Sequence, residues 1–267
     1  MIYRVLGRTG LRVSLAGLGT GGDSLLGQRQ GKARYESERV VRVALDLGIN
    51  LFDTAPTYRE SEELLGEALE GVPRDHYVLT TKFRPQEGKG MVVADPEALS
   101  RELEASLKAL RADYVDVLQY HGVTADIYDQ VIERFHPVAL RAQQAGKVRF
   151  LGITESVGDT THRMLPAAIQ SNLFDTIMVR YGILNQSAAP EVLPAAQAAN
   201  LGVLVMAAVR TSLRTPEEAV RHIEQFIAEG LLDMPQPDIN DPLGFTRAGE
   251  PVTSTTRAAY QLAAEHP

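Results

Sequence analysis

The stretch Asn50-Leu51-Phe52-Asp53-Thr54-Ala55-Pro56-Thr57-Tyr58 reads as a short buried strand that ends on a carboxylate and runs into a turn carrying a tyrosine. Two later stretches end in the same manner. Tyr77-Val78-Leu79-Thr80-Thr81-Lys82 finishes on a lysine, and Tyr114-Val115-Asp116-Val117-Leu118-Gln119-Tyr120-His121 finishes on a histidine. Where strands run parallel, their carboxyl ends open on one face of the sheet, and side chains from successive strands meet there. Asp53, Tyr58, Lys82 and His121 are therefore expected on one rim.

Outward from that stretch the chain alternates strand and helix. Val40, Val41, Val43, Ala44 and Leu47 mark an amphipathic helix closed by Gly48, directly before the Asp53 strand. Helices follow over Ser61 to Leu69 and Pro96 to Leu110, the latter opened by Asp95-Pro96 and carrying Leu99, Leu103, Leu107 and Leu110 on one face. Further on come a helix from Tyr128 to Ala145, a strand from Val148 to Thr154 and a helix from Thr160 to Gln170. Strand Asp175 to Tyr181, helix Ala188 to Ala199 and strand Gly202 to Ala208 complete the series. Before it all, Tyr3 to Leu6 and Leu11 to Val13 flank Gly7-Arg8-Thr9-Gly10, the pattern of a β-hairpin capping one end. Strands alternating with helices give right-handed crossovers and a helix-covered parallel sheet. The expected fold is an α/β, TIM-type (β/α)8 barrel with an N-terminal hairpin, read as one domain over residues 1–267. Seven strands are countable and the last βα unit is incomplete: Pro216 to Glu229 and Thr255 to Glu265 read as helices around a Pro-, Gly- and Asp-rich loop.

Composition excludes several function classes. At 267 residues and 44% hydrophobic, the chain has material for a large core, and its net charge of −7 gives no basic footprint for nucleic acid or an anionic membrane. No cysteine is present, so disulfides, thiolate metal sites and a cysteine nucleophile are excluded. The longest apolar run, about Gly202 to Val209, is far short of the ~18 residues a spanning helix needs, and the start lacks a secretory signal's apolar core. The expectation is a cytoplasmic protein with no membrane and no nucleic-acid partner. His76, His136, His162, His222 and His266 show no metal-ligand spacing and read as surface or packing residues, so no metal site is expected. Glu60, Glu62 and Glu63 read as charge decorating a helix start.

The four convergent side chains suit proton transfer. A phenol is a weak proton donor near neutrality, with a reference pKa of ~10; a neighbouring ammonium lowers that value, and a carboxylate beside the ammonium keeps it charged and placed. Asp53, Lys82 and Tyr58 supply such a relay, and His121 is positioned to hold a substrate oxygen. Gly17-Leu18-Gly19-Thr20-Gly21-Gly22 is a glycine-rich turn where backbone can approach a ligand. The residues contain no source of electrons.

The segments Tyr3-Arg4-Val5-Leu6-Gly7-Arg8-Thr9-Gly10-Leu11-Arg12-Val13-Ser14, Gly17-Leu18-Gly19-Thr20, Phe52-Asp53-Thr54-Ala55-Pro56-Thr57-Tyr58, Thr81-Lys82 and Gln119-Tyr120-His121 together resemble the aldo-keto reductase superfamily. The resemblance runs in order through essentially the whole chain. It implies that NADPH, or NADH, supplies hydride to a small aldehyde or ketone, with Tyr58 as general acid, Lys82 and Asp53 tuning it, and His121 orienting the carbonyl. For the cofactor it points to Gly19, Thr20 and Asp53 and to Thr154 and Glu155, where the family has a Ser/Asn pair. It points also to Met178 in place of a glutamine, to Ala208 in place of an aromatic, and to Arg210 beside the pyrophosphate. The family's eighth strand and its loop of Lys, Ser and Arg have no counterpart in the 267 residues. That leads to two expectations, weakened NADPH binding and a sheet closed by further chain or by a partner, a homo-oligomer included. A rival reading is a non-catalytic barrel that retains the tetrad and serves as a binding or regulatory protein. A metal-dependent hydrolase is opposed by Lys82, whose charge repels a cation beside Asp53.

Overall fold

The computed structural model describes residues 1–88, 90–209, 211–246, 248–249 and 254–265. Strands β1 (Tyr3–Val5) and β2 (Arg12–Ser14) form the antiparallel hairpin. A seven-stranded parallel sheet follows, built from β3 (Leu18–Gly19), β4 (Leu51–Asp53) and β5 (Val78–Phe83), then β8 (Val115–Val123), β9 (Val148–Glu155), β10 (Thr176–Arg180) and β11 (Gly202–Met206), each beside the next. Between β5 and β8 the chain inserts a two-stranded ladder, β6 (Gln86–Glu87) with β7 (Met91–Val92). The helices are α1 (Arg34–Asp46), α2 (Ser61–Leu69), α3 (Ala98–Leu110), α4 (Tyr128–Gln144), α5 (Leu165–Ser171), α6 (Val192–Ala198), α7 (Pro216–Ala228) and α8 (Thr255–Glu265). Among the described residues the sheet ends at β3 on one side and β11 on the other, and no helix is long and apolar enough to cross a membrane.

Contacts along the chain group it into two compact units, one of Met1–Val179 with Ser187–Leu204 and one of Arg180–Gln186 with Val205–Pro267. In the first unit the hairpin turn is pinned at the amino ends of the strands: a Cβ on Gly7 would lie 2.2 Å from the Gly202 nitrogen, and Arg8 N–H donates to the Asn200 carbonyl at 2.7 Å. Only glycine permits that approach at φ +49°. The second unit has a small core of Leu213, Ala219 and Ala259, with Ile183, Leu184, Val209 and Leu243 against it. Thr215 caps α7, its hydroxyl accepting from Glu218 N–H at 3.3 Å.

Where elements differ from the sequence reading, local chemistry explains the difference. Helix α5 starts late because Asp159 turns the chain, accepting from the Thr161 N–H and hydroxyl, and His162 takes a left-handed φ of +54°. Helix α6 starts after Pro190, which drives the residue before it away from helical backbone. Helix α3 keeps its Leu99, Leu103, Leu107 and Leu110 face buried, as its periodicity required. Helix α1 buries Val41 and Ala44 while Val40, Val43 and Leu47 stay exposed, so its apolar stripe is wider than the surface it covers.

Candidate active site

Register explains why the rim residues meet. In the parallel ladders Gly19 lies opposite Asp53, Asp53 opposite Thr80, and Lys82 opposite Gln119. Side chains alternate along a strand, so Thr80 and Lys82 share the face that Asp53 and Gln119 also address, and Thr81 points the other way. Lys82 is 2% exposed. Its ammonium donates to Asp53 Oδ2 at 2.6 Å and to the Thr54 carbonyl at 2.8 Å. Asp53 Oδ1 accepts from the Thr80 hydroxyl at 2.6 Å and from Gln119 Nε2 at 3.0 Å, which leaves the carboxylate fixed from two strands. A buried ammonium without such partners would be strongly destabilising.

Tyr58 sits at the end of the turn after β4, its N–H donating to the Ala55 carbonyl at 3.0 Å, and Arg59 beside it takes a left-handed φ of +55°. The Lys82 ammonium lies 5.0 Å from the centre of the Tyr58 ring. The His121 ring meets Tyr58 edge to face, with centroids 5.7 Å apart, and its Nδ1 is 3.5 Å from Thr57 Oγ1. Alternation along β8 puts His121 on the face of Gln119, and the β8–β9 register slips just there, between Tyr120 and Val123. Gly21 closes the other side: a Cβ there would stand 2.6 Å from two Tyr58 ring carbons. The close approach anticipated for this glycine-rich turn is made to the tyrosine ring.

Electrostatics follow from burial and from the Lys82–Asp53 pair. Burial raises the Tyr58 phenol above its ordinary value and outweighs the lowering by Lys82, so the phenol holds its proton. The lysine acts on the phenol in the expected direction, and burial is the larger cause. For Lys82, burial works against the charge, but Asp53 and Tyr58 together hold the ammonium above its ordinary value. Burial and the nearby ammonium push His121 down to about 3, leaving a neutral imidazole. A protonated phenol and a neutral imidazole beside a buried ammonium can donate hydrogen bonds to one oxygen and pass it a proton.

Other residues singled out in the sequence take varied places. Gly19 is exposed, with open space where a Cβ would stand. Thr20 is fully buried, its hydroxyl donating to Thr54 Oγ1 at 2.8 Å. Thr154 and Met178 are buried and adjacent in the ladder, and Thr154 Oγ1 accepts from Gly122 N–H at 2.8 Å. Glu155 is buried with Oε2 at 2.8 Å from His162 Nδ1, so of the surface and packing readings His162 takes the second. Ala208 belongs to the second unit, and Arg210 lies outside the described residues. Glu62 departs from its reading as helix decoration: it is buried, accepts from Thr81 Oγ1 at 2.6 Å and Ser106 Oγ at 3.2 Å, and burial raises its carboxyl above the usual range. Thr80 and Gln119, which clamp Asp53, were not singled out; their spacing from Lys82 and His121, two residues in each case, was the available signal.

Residues 17–233 match the family model described as the aldo/keto reductase family. The chain belongs to that family. As an aldo/keto reductase family member it is 34% identical over 222 residues to L-galactose dehydrogenase of Arabidopsis thaliana, covering 80% of this chain and 67% of that protein. It is 30% identical over 228 residues to the NADH-specific methylglyoxal reductase of Escherichia coli strain K12, covering 79% and 68%. The match thus spans about two thirds of each relative's length. Among solved structures, a holo-form aldo-keto reductase from Bacillus halodurans superposes with a TM-score of 0.72 at 24% identity, covering 100% of this chain and 83% of that one, a likeness of fold. The glycerol dehydrogenase of Gluconobacter oxydans superposes with a TM-score of 0.59 at 26% identity, covering 80% and 65%.

Proposed function

We propose that the chain is a nicotinamide-dependent oxidoreductase that reduces a small aldehyde or ketone to an alcohol, with Tyr58 as proton donor. The observation that carries the reading is the joint state of the rim: the Tyr58 phenol protonated, the His121 imidazole neutral and the Lys82 ammonium buried against Asp53. His121 donates to the carbonyl oxygen and orients it. Tyr58 donates a second hydrogen bond and yields its proton as negative charge develops on that oxygen. Lys82 lies beside the phenol and stabilises the phenolate left behind, and Asp53 keeps Lys82 in place and charged.

These groups give and orient protons and offer no electrons, a donor set that fits a bound hydride carrier. NADPH or NADH, when bound, supplies that hydride. Thr154 and Met178, adjacent on neighbouring strands of the sheet, are the residues of this chain that would hold its nicotinamide end, while the Glu155 carboxylate is engaged by His162. The name of the Escherichia coli relative keeps NADH beside NADPH and supports an aldehyde substrate. The test is a fluorescence titration with each nucleotide, followed by reduction of a panel of aldehydes monitored as nucleotide oxidation. Saturable binding with turnover supports the reading; absence of binding to either nucleotide overturns it.

A further inference from the structure

On the same rim as the tetrad, at the ends of β9 and β10, three side chains outside it form a continuous hydrogen-bonded line. Glu155 Oε2 is 2.8 Å from His162 Nδ1, and His162 Nε2 is 2.8 Å from Ser187 Oγ. Glu155 and His162 are 1% and 3% exposed, whereas Ser187 stands exposed at the surface. A carboxylate only accepts, so Nδ1 carries the ring proton, and in the neutral ring Nε2 is left to accept from the Ser187 hydroxyl. The loop is built to hold this ring. Asp159 Oδ1 accepts from the Thr161 N–H and hydroxyl, both at 2.7 Å, and His162 then takes a strained left-handed backbone conformation that turns its ring between Glu155 and Ser187.

We propose that Ser187, His162 and Glu155 form a second reactive site, a serine–histidine–glutamate relay that cleaves small carboxylic esters. The order of groups is that of an activated nucleophile: an exposed hydroxyl, a buried base bonded to it, and a carboxylate that fixes the tautomer of the base. Ser187 Oγ forms a bond to the ester carbonyl carbon while its proton passes to His162 Nε2. The bond to the leaving oxygen then breaks, and that oxygen takes the proton from Nε2. Water repeats the sequence on the acyl-serine: its proton goes to Nε2, the acyl bond to Ser187 breaks, and the proton returns to Ser187 Oγ. Ester and water thus become acid and alcohol, with no oxidant or reductant consumed. Glu155 acts through His162 and is a positioning residue.

The experiment uses the full chain with a fluorophosphonate probe, located by peptide mass spectrometry, and with p-nitrophenyl acetate in a stopped-flow burst assay. The expected result is one adduct, on Ser187, and a burst that Ser187→Ala abolishes; that exposed position tolerates the change without loss of fold. His162→Asn should slow acylation ~10² to 10⁴-fold. Glu155→Gln should slow it less, and should also displace the downfield imidazole Nδ1 proton resonance, which loss of packing alone would not do in a variant of unchanged circular dichroism. An unlabelled Ser187, or ester hydrolysis equal in wild type and Ser187→Ala, would overturn the proposal.

Discussion

At the amino ends of β5, β8 and β9, Asp116 is buried and fully engaged: Arg74 donates to its Oδ2 at 2.7 Å, Arg149 to its Oδ1 at 2.6 Å, and Leu79 N–H to Oδ2 at 2.9 Å. The arginines are stacked as well, Arg74 lying 4.0 Å from the Tyr114 ring centre and 4.8 Å from that of Tyr77. At the carboxyl ends of the same sheet, Asp53 and Lys82 form an equally short pair, yet around them stand an incompletely covered tyrosine and a neutral histidine. Both ends pair a carboxylate with a cation. At one end the charged groups tie three strands together; at the other the pair stands beside a phenol and an imidazole whose charge states burial sets first and Lys82 modulates. The first reads as a stability device, and the second is the site we propose.

The contrast predicts opposite responses to substitution. Tyr58→Phe should lower carbonyl reduction ~10² to 10⁴-fold while leaving the melting temperature within a degree or two, because one hydroxyl at a rim is lost. Steady-state kinetics and calorimetry on the same preparation read both. Asp116→Ala should do the reverse, destabilising by ~2 to 4 kcal/mol in urea titrations with turnover of the folded protein unchanged; the figure sits below that for a fully buried pair because Arg149 is half exposed.

Gly21→Ala sharpens the comparison from within the site. Its Cβ would displace the Tyr58 ring, so kcat should fall by up to ~10²-fold with little change in stability. Lys82→Met should move the alkaline limb of the reduction profile to higher pH, since the lysine is what opposes burial in setting the phenol; profiles of unchanged shape would remove Lys82 from that role. A further effect concerns His121. Its folded value of about 3 lies below its ordinary 6.5, so its contribution to stability is present above 6.5 and is lost as pH falls toward 3. His121→Gln should flatten that part of the stability–pH curve, and kcat/KM of the native protein should show no acid limb from this residue between pH 5 and 8.

Much of this was legible because strand ends are marked in the sequence: Asp53, Lys82 and His121 each close an apolar run, and parallel register brings such ends together. What was not legible follows from the same sheet being covered on both faces. All six residues of β5 are buried, so its alternation carries no polar-out signal. Thr80 and Lys82 serve Asp53 while Thr81 between them serves Glu62 beneath the helices, a division the string Thr80-Thr81-Lys82 does not reveal. His162 was illegible for a different reason: its partners Glu155 and Ser187 lie 7 and 25 positions away, and only a left-handed turn joins them.

On our proposal this rim adds a proton from Tyr58 to a carbonyl whose carbon receives hydride from a nicotinamide. The most direct measurement is mass spectrometry of the alcohol formed from an aldehyde and reduced nicotinamide cofactor carrying deuterium at its transferable position, with wild type and Tyr58→Phe side by side. One deuterium on the carbinol carbon in the wild-type product, with almost no product from Tyr58→Phe, is the predicted result. An alcohol without deuterium, or equal product from both proteins, would contradict the account.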